Sequence, residues 1–463
     1  MLSSEKLEKF VHSYLFILAV IIGPILGWAF DCLAITYYYL GSFVLLILFL
    51  SCDIKLLLLI VPFFLTGYKH TFDINNIPTE MVISSGVLII SIVLMVFKNI
   101  VYKKKIHLNF GLIGKSVLMF GFVLLLSAIV RNVFYNEPAF PEYPDVYKPM
   151  LGYIGALVVI GAGIISIIIS SINTGEYMDV YPKIMYTFGL YLFIQFMITF
   201  SKNGYDITEA FTQVGWGNKN QYAILCELSL PFLAYIFGNN MKRIDALGLF
   251  GALSLLVLAS DSRGAQVTIL ILSLYCLYLL IRKTKHVWIN YAAIILIGLS
   301  AFVLCFFTVD SFKDSVIRLY ESIINGDSFT SIVTGRDVFW KWTFEYTFQN
   351  PKHLLLGGSP SYMFELYRAF TGYTDFQFWM CHNTLISSLA LGGLLGVLTI
   401  IYLYIEVIGG TIKRAGDLKW PLIGIILFSL VHGIIDETLF YLPFTICFIF
   451  IFQSYSKNFK EFI

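Results

Sequence analysis

The chain has 463 residues, of which 58% are hydrophobic and 13% are charged, whereas a soluble domain usually carries about 25% charged residues. This composition excludes an ordinary soluble domain, and the formal net charge of +2 gives no indication of a nucleic-acid partner. The seven cysteines are scattered through apolar runs, so they predict neither a disulfide framework nor a cysteine metal cluster.

Apolar runs of roughly 16–23 residues recur along the chain, and a run of this length predicts a transmembrane helix. They lie at residues 11–30, 33–51, 54–68, 81–97, 108–130, 151–173, 182–201, 221–238, 244–260, 264–282, 289–309, 384–407, 420–435 and 438–456. The fold class is therefore all-α, a polytopic membrane protein with about fourteen transmembrane helices. We divide the chain into residues 1–309 with the first eleven helices, a loop at 310–381 with amphipathic helices, and residues 382–463 with the remaining three.

Lysine and arginine set the predicted orientation, because cytoplasmic loops carry an excess of both. With the N-terminus inside, the basic clusters at residues 103–105, 242–243, 282–285 and 413–414 all fall on the cytoplasmic side. The sequence thus predicts a multi-pass protein of the cytoplasmic (inner) membrane with both termini cytoplasmic. The loop 310–381 is then extracytoplasmic.

Polar candidates from four distant parts of the sequence share the outer side in this topology. They are Arg263, Arg336, His382 and the pair Asp436 and Glu437. An arginine at the membrane surface either binds an anion or pairs, but Arg263 taken alone is equally consistent with an anchor at the interface.

The segment 334–348 has the pattern of an amphipathic helix that ends before Asn350 and Pro351. Thr334 is a candidate N-cap, which places Arg336 in the first turn, where backbone N–H groups and a guanidinium together favour a phosphate. Trp340 lies four residues later on the same face. The alternative for Arg336 is a solvated charge on a surface helix.

His382 stands where the long loop returns to the membrane, and Asn383 and Thr384 are the two candidate caps of the next helix. A helix N-terminus disfavours the imidazolium, so we expect a neutral ring that can act as a general base. The alternative is a structural histidine at the interface. Asp436 and Glu437 either orient His382, pair with an arginine or form a polar turn. His432, inside a predicted span, is interpreted as a structural histidine, and the alternative is that it lines an outer cavity.

Taken together, these residues resemble the O-antigen ligase and O-antigen polymerase superfamily. The resemblance rests on the order and spacing of Arg336, Trp340, the Gly357–Gly358 pair, His382 and Gly392, with Arg263 before a span, and it covers roughly residues 215–440. It implies an all-helical enzyme that transfers glycan from an undecaprenyl-diphosphate carrier without a metal or other cofactor. It further implies that Arg263 and Arg336 grip the diphosphate and that His382 activates the acceptor hydroxyl.

The residues themselves are consistent with this chemistry. Two guanidinium groups stabilise the charge that develops on a diphosphate leaving group, and a neutral imidazole accepts a hydroxyl proton. Glycoside hydrolysis would instead need two carboxylates on either side of one bond, and Asp436 and Glu437 are adjacent in sequence.

Several functions stay open at this point. A polymerase of lipid-linked repeat units is favoured over a ligase that moves glycan to a lipid core or a protein, and no residue separates the two. A flippase of the lipid-linked sugar would show inverted repeats and interrupted helices, and a metal-dependent transferase would need acidic ligands in an outer loop. The expected partners are the lipid-linked oligosaccharide and membrane lipids, and whether a chain-length regulator and a flippase also bind is open.

Overall fold

A computed structural model describes residues 9–50, 60–67, 78–103, 109–135, 138–142, 148–171, 180–215, 218–260, 262–283, 336–371 and 381–453, together with residues 313 and 317. Within these residues the fold is helical and contains no strand, which confirms the all-α prediction. The predicted span 289–309 and much of the loop 310–381 lie outside the described residues. The number of spans therefore stays a prediction.

The helices of the N-terminal part have the following bounds. They are α1 Tyr14–Ala19, α2 Ile22–Ala29, α3 Leu33–Leu50, α4 Val61–Thr66, α5 Thr79–Lys103, α6 Gly114–Val130, α7 Pro149–Ser171, α8 Val180–Lys202, α9 Ile207–Gln213, α10 Lys219–Asn239, α11 Ile244–Ala259 and α12 Arg263–Lys283. The remaining helices are α13 Arg336–Phe348, α14 Pro351–Leu356, α15 Ser361–Thr371, α16 Thr384–Arg414, α17 Lys419–Ile435 and α18 Leu442–Gln453. Among the described residues, eight helices are long and apolar enough to cross a membrane, so the chain is a multi-pass membrane protein.

The first predicted span, 11–30, is two short helices rather than one. The break falls at Val20 and Ile21, before Pro24. Proline has no N–H to donate to the carbonyl of Val20, and its ring clashes with that carbonyl in a continuous helix. Apolar length alone did not reveal this break.

Helix α16 is interrupted at Gly393, whose φ of 60° is outside the helical range. The interruption frees backbone carbonyls that a continuous helix would use, and the segment before α15 binds them. The N–H of Gly358 donates to the carbonyl of Ala390 at 2.7 Å, and that of Ser359 donates to Leu391 at 3.0 Å. The glycine pairs of the sequence motif thus join the loop helices to the start of α16.

A buried ion pair fastens α15 to the end of α6. Arg131 and Glu365 approach to 2.7 Å, and their side chains are 2% and 0% exposed. Arg131 also donates to the carbonyl of Gly358 at 2.7 Å and to the hydroxyl of Ser361 at 3.0 Å. Helix α13 packs on α14, and α13, α14 and α15 all pack on α16. The ion pair therefore helps to hold in place the helices that carry the site residues.

Substituting Gly393 with alanine is expected to destabilise the protein. An added Cβ would lie 2.4 Å from the carbonyl carbon of Leu355, and a positive φ costs a residue with a side chain about 1 kcal/mol or more. Thermal unfolding of the purified variant should show a lower melting temperature. The matched control is Gly409→Ala in the same helix, where an added Cβ has open space and alanine favours helix. Equal melting temperatures for the two variants would contradict this account of the interruption.

Candidate active site

The predicted site residues converge at the junction of α13, α16 and α17. Six of them have described side chains that lie in one cluster: Arg336, Trp340, His382, Asn383, Asp436 and Glu437. Arg263 is the first residue of α12 by its backbone, and its side chain is outside the described part of the structure. The next residue, Gly264, packs against Ile435 at the end of α17, so α12 begins beside the cluster.

The cluster is assembled on the last carbonyl groups of α17, which have no partner within the helix. The side-chain amide of Asn383 donates to the carbonyl of Ile434 at 2.8 Å, and a guanidinium N–H of Arg336 donates to the carbonyl of Ile435. The Oδ1 of Asn383 also accepts from the first backbone N–H groups of α16 and so caps that helix, as predicted. Three helix ends are thereby tied together within a few residues.

The backbone at His382 is held in an unusual conformation, with a φ of 52°. Few residues with a side chain adopt this left-handed region, and such strain concentrates at functional sites. The preceding residue, Cys381, is fully buried and fixed on both sides. Its carbonyl accepts from the indole of Trp340 at 2.7 Å, and its N–H donates to the hydroxyl of Ser387 at 3.0 Å. Trp340 therefore positions the backbone on which the imidazole stands.

The imidazole of His382 faces two carboxylates through Nδ1. This nitrogen lies 3.0 Å from Oδ1 of Asp436 and 3.3 Å from Oε2 of Glu437, and the side chain is 25% exposed. An ionised Asp436 only accepts hydrogen bonds, so Nδ1 carries the proton and donates. In the neutral ring Nε2 is then the nitrogen whose lone pair can accept a proton.

The charges of the cluster determine the protonation of its members. Burial raises the pKa of Asp436, but the hydrogen bond from His382 and the charge of Arg336 outweigh it and hold that pKa well below its usual range. Burial, together with the neighbouring charge of Asp436, raises the pKa of Glu437 to about 8. At neutral pH the structure therefore favours an ionised Asp436 beside a protonated Glu437.

The helix start does not lower the pKa of His382, contrary to the prediction that it disfavours the imidazolium. Burial lowers the pKa of its imidazole, but the carboxyl of Glu437 when it is ionised, together with the hydrogen bond to Asp436 and the charge of Asp436, more than compensates, and the pKa is raised. The residue precedes the cap of α16 rather than following it, so the carboxylates 3.0 and 3.3 Å away act more strongly than the helix dipole. The ring is a stronger base than an isolated histidine.

Arg336 is the first described residue of α13, and its side chain is 18% exposed. Thr334, the predicted cap, lies outside the described residues. A guanidinium nitrogen of Arg336 is 3.7 Å from Oδ2 of Asp436. A guanidinium has five N–H donors, so a carbonyl and a carboxylate partner leave donors for an anion.

Sequence reasoning did not identify the roles of Arg131 and Glu365. Arg131 directly follows the predicted span 108–130, and Glu365 lies within the long loop 310–381. The available signal was the same for both: an ionisable residue flanked by apolar and aromatic residues is expensive to bury without a partner of opposite charge.

Comparison with known proteins locates a family match over this region. Residues 248–401 match a family model described as O-antigen ligase. The matched segment contains Arg263, Arg336, Trp340, His382 and Asn383. Asp436 and Glu437, which follow α17, lie beyond it. A search of the curated proteins finds no match to the chain. The family match confirms the resemblance to the O-antigen ligase and polymerase superfamily.

Proposed function

We propose that this chain, whose residues 248–401 match the O-antigen ligase family, polymerises undecaprenyl-diphosphate-linked oligosaccharide repeat units into a surface polysaccharide. The reaction would take place at the outer face of the cytoplasmic membrane. The observation that carries the proposal is the hydrogen bond between Nδ1 of His382 and Asp436, which leaves Nε2 of the imidazole as the proton acceptor, while the guanidinium of Arg336 lies 3.7 Å from the same carboxylate.

The proposed step is a glycosyl transfer with one proton transfer. A hydroxyl oxygen of the acceptor sugar attacks the anomeric carbon of the donor, and its proton passes to Nε2 of His382. The bond between the anomeric carbon and the phosphate oxygen breaks, and its electron pair leaves with undecaprenyl diphosphate. Asp436 holds the ring in this tautomer and stabilises the imidazolium, while Arg336 and Arg263 stabilise the leaving diphosphate.

The same cluster bears on whether a metal takes part. His382, Asp436 and Glu437 each offer a ligand atom, and these atoms lie within 4.8 Å of one another. However, the guanidinium of Arg336 is 3.7 Å from Asp436 and repels a cation there. A cation would also displace the Nδ1 proton that Asp436 accepts. We therefore propose transfer without a metal.

Two other functions are compatible with the family or with the sequence. A ligase would use the same donor and the same base with a lipid core or a protein as acceptor. A flippase would need an interrupted helix open to its substrate. Helix α16 is interrupted, but Gly358 and Ser359 occupy the freed carbonyls of Ala390 and Leu391, which favours a structural junction over a transport site.

The function is tested with the purified protein in detergent, a lipid-linked oligosaccharide and a chelator of divalent cations. We expect longer oligosaccharides that are still attached to the lipid. Transfer to an added lipid core or protein without elongation would show a ligase instead. An unchanged donor, or activity only after a divalent cation is restored, would contradict the proposal.

Replacing Asp436 with asparagine is expected to shift the pH dependence of transfer as well as its rate. The base acts only when deprotonated, so activity rises with pH through the pKa of His382, which in the native chain lies above the usual value of about 6.5. Without the carboxylate this pKa falls, and the acid limb of the pH–rate profile moves to lower pH. Asp417→Asn, at an exposed position in the turn before α17, is the control. Identical profiles for the native chain and Asp436→Asn would exclude the orienting role.

The orientation is tested at Lys341, on the exposed face of α13, whose side chain is 73% exposed. Lys341→Cys should react with a membrane-impermeant thiol reagent in intact cells, because we place α13 outside. Lys242→Cys, at an exposed position in a predicted cytoplasmic loop, should react only after permeabilisation. Labelling is read against the native chain with its seven cysteines. The reverse pattern would place the site on the cytoplasmic side and rule out the proposed donor.

A further inference from the structure

A pair of ionisable side chains is buried among α10, α12 and α17, and the proposed reaction does not use it. Glu227 of α10 and His432 of α17 are both 0% exposed, and Oε2 of the carboxylate is 2.7 Å from Nδ1 of the imidazole. Ionisable groups inside a membrane protein are costly to bury, and they usually mark functional positions. The pair therefore requires an explanation beyond packing.

The second ring nitrogen of His432, Nε2, provides such an explanation. Nε2 is buried and makes no hydrogen bond to any residue that the structure describes. It lies against the first turn of α12, since a Cβ added to Gly264 would be 3.3 Å from Nε2. Only the small size of glycine allows the imidazole to approach the backbone beside Arg263 so closely. A buried ring nitrogen without a partner is rare, and a bound group that completes it is one cause.

His432 also lies one helical turn from the proposed active site. Its carbonyl accepts from the N–H of Asp436 at 2.6 Å. The positive end of α12 lies against the ring, and Arg336 is bound to the carbonyl of Ile435, three residues farther along α17. An anion that binds between the start of α12 and Arg336 would accept a hydrogen bond from Nε2 of His432.

We propose that His432 is a further donor-binding residue, whose Nε2 donates a hydrogen bond to a phosphate oxygen of the lipid diphosphate. This inference rests on the proposed function. Glu227 on Nδ1 and a phosphate on Nε2 together stabilise the imidazolium between them. Gly264 packs against Nε2. Binding of the phosphate therefore includes a small movement of the first turn of α12 away from α17.

Equilibrium binding of undecaprenyl diphosphate to the purified full chain tests the proposal. In His432→Asn, the amide takes the place of Nδ1 against Glu227 and Nε2 is lost, so affinity should fall about tenfold or more. In His432→Gln, the amide reaches the place of Nε2, and part of the affinity should return. His353→Asn, at a histidine stacked on Tyr346 in the loop helices, is the control and should bind like the native chain.

Gly264→Ala provides a second, independent variant. Its methyl group would lie 3.3 Å from Nε2 and leave the hydrogen bond between Glu227 and Nδ1 of His432 in place, so affinity for undecaprenyl diphosphate should fall. Both substitutions remove the same contact, the one between Nε2 and the phosphate. The double variant Gly264→Ala with His432→Asn should therefore bind no more weakly than the weaker of the two single variants.

The outcomes separate this inference from the function on which it rests. Native affinity in either His432→Asn or Gly264→Ala would overturn the role of His432 and leave the proposed function standing. A native chain that does not bind undecaprenyl diphosphate would contradict the proposed function itself. If His432→Asn does not fold, Gly264→Ala decides the matter, because it keeps the buried pair intact.

Discussion

Replacing His382 with alanine is expected to reduce glycan transfer by about 10²–10⁴-fold, the usual contribution of a general base. The acceptor hydroxyl must lose its proton as the new bond forms. The imidazole of His382 is partly exposed, and its Nδ1 is held by Asp436, so Nε2 is the nitrogen that accepts the proton. Binding of the lipid-linked donor should persist, because the diphosphate is bound by the arginines. Transfer is measured in single-turnover conditions, and donor binding is measured separately.

The control for this variant is His353→Ala, a half-buried histidine that stacks on Tyr346 and lies away from the carboxylates. Membrane abundance of both variants is measured alongside activity, because loss of a structural histidine would reduce both together. Transfer near the native rate in His382→Ala would exclude the role of base. Loss of donor binding together with transfer would indicate that the residue organises the site rather than accepting a proton.

The second large effect is expected at Arg336, where lysine keeps the charge but loses the planar fork. The guanidinium of Arg336 is bound to the carbonyl of Ile435 and lies 3.7 Å from Asp436, and a single ammonium cannot reach both and also hold a phosphate. Arg336→Lys should therefore lower transfer by about 10²-fold, the cost of removing one charge-stabilising donor. Arg263→Ala should act in the same direction, on the strength of the family resemblance.

Arg243→Lys is the matched control, because Arg243 makes a two-pronged contact with Asp245 at the opposite end of α11 from the site. It tests whether loss of any arginine fork lowers activity through stability alone. Full activity of Arg336→Lys would remove the assignment of the diphosphate to this residue. Equal losses in Arg336→Lys and Arg243→Lys would indicate a general loss of stability.

The sequence was sufficient to predict the class of fold and that the site residues meet, whereas the side of the membrane on which they meet stays a prediction. Apolar length marked the long helices, and the distribution of lysine and arginine placed His382 and Asp436 on one side although they are far apart in the chain. Asn383 was placed correctly at the start of a helix, since capping depends on local sequence. Local signals of this kind survive folding because few distant residues can change them.

Features that depend on distant partners could not be predicted from the sequence. The raised pKa of His382 results from Asp436 and Glu437, which α17 brings to it from more than fifty residues away. The interruption of α16 at Gly393 is stable only because Gly358 binds the freed carbonyl of Ala390. Neither effect has a local pattern, because each is decided by which helix ends meet.

The central claim is that the chain cleaves the bond between a sugar and a lipid diphosphate, and the lipid product tests this most directly. The purified protein is given a donor labelled in its lipid, and the released lipid and the new glycosidic bonds are quantified together. We predict that undecaprenyl diphosphate and new glycosidic bonds appear in equal amounts in the native chain and that both are lost in His382→Ala. Release of undecaprenyl monophosphate, or glycosidic bonds formed without any released lipid diphosphate, would contradict the account.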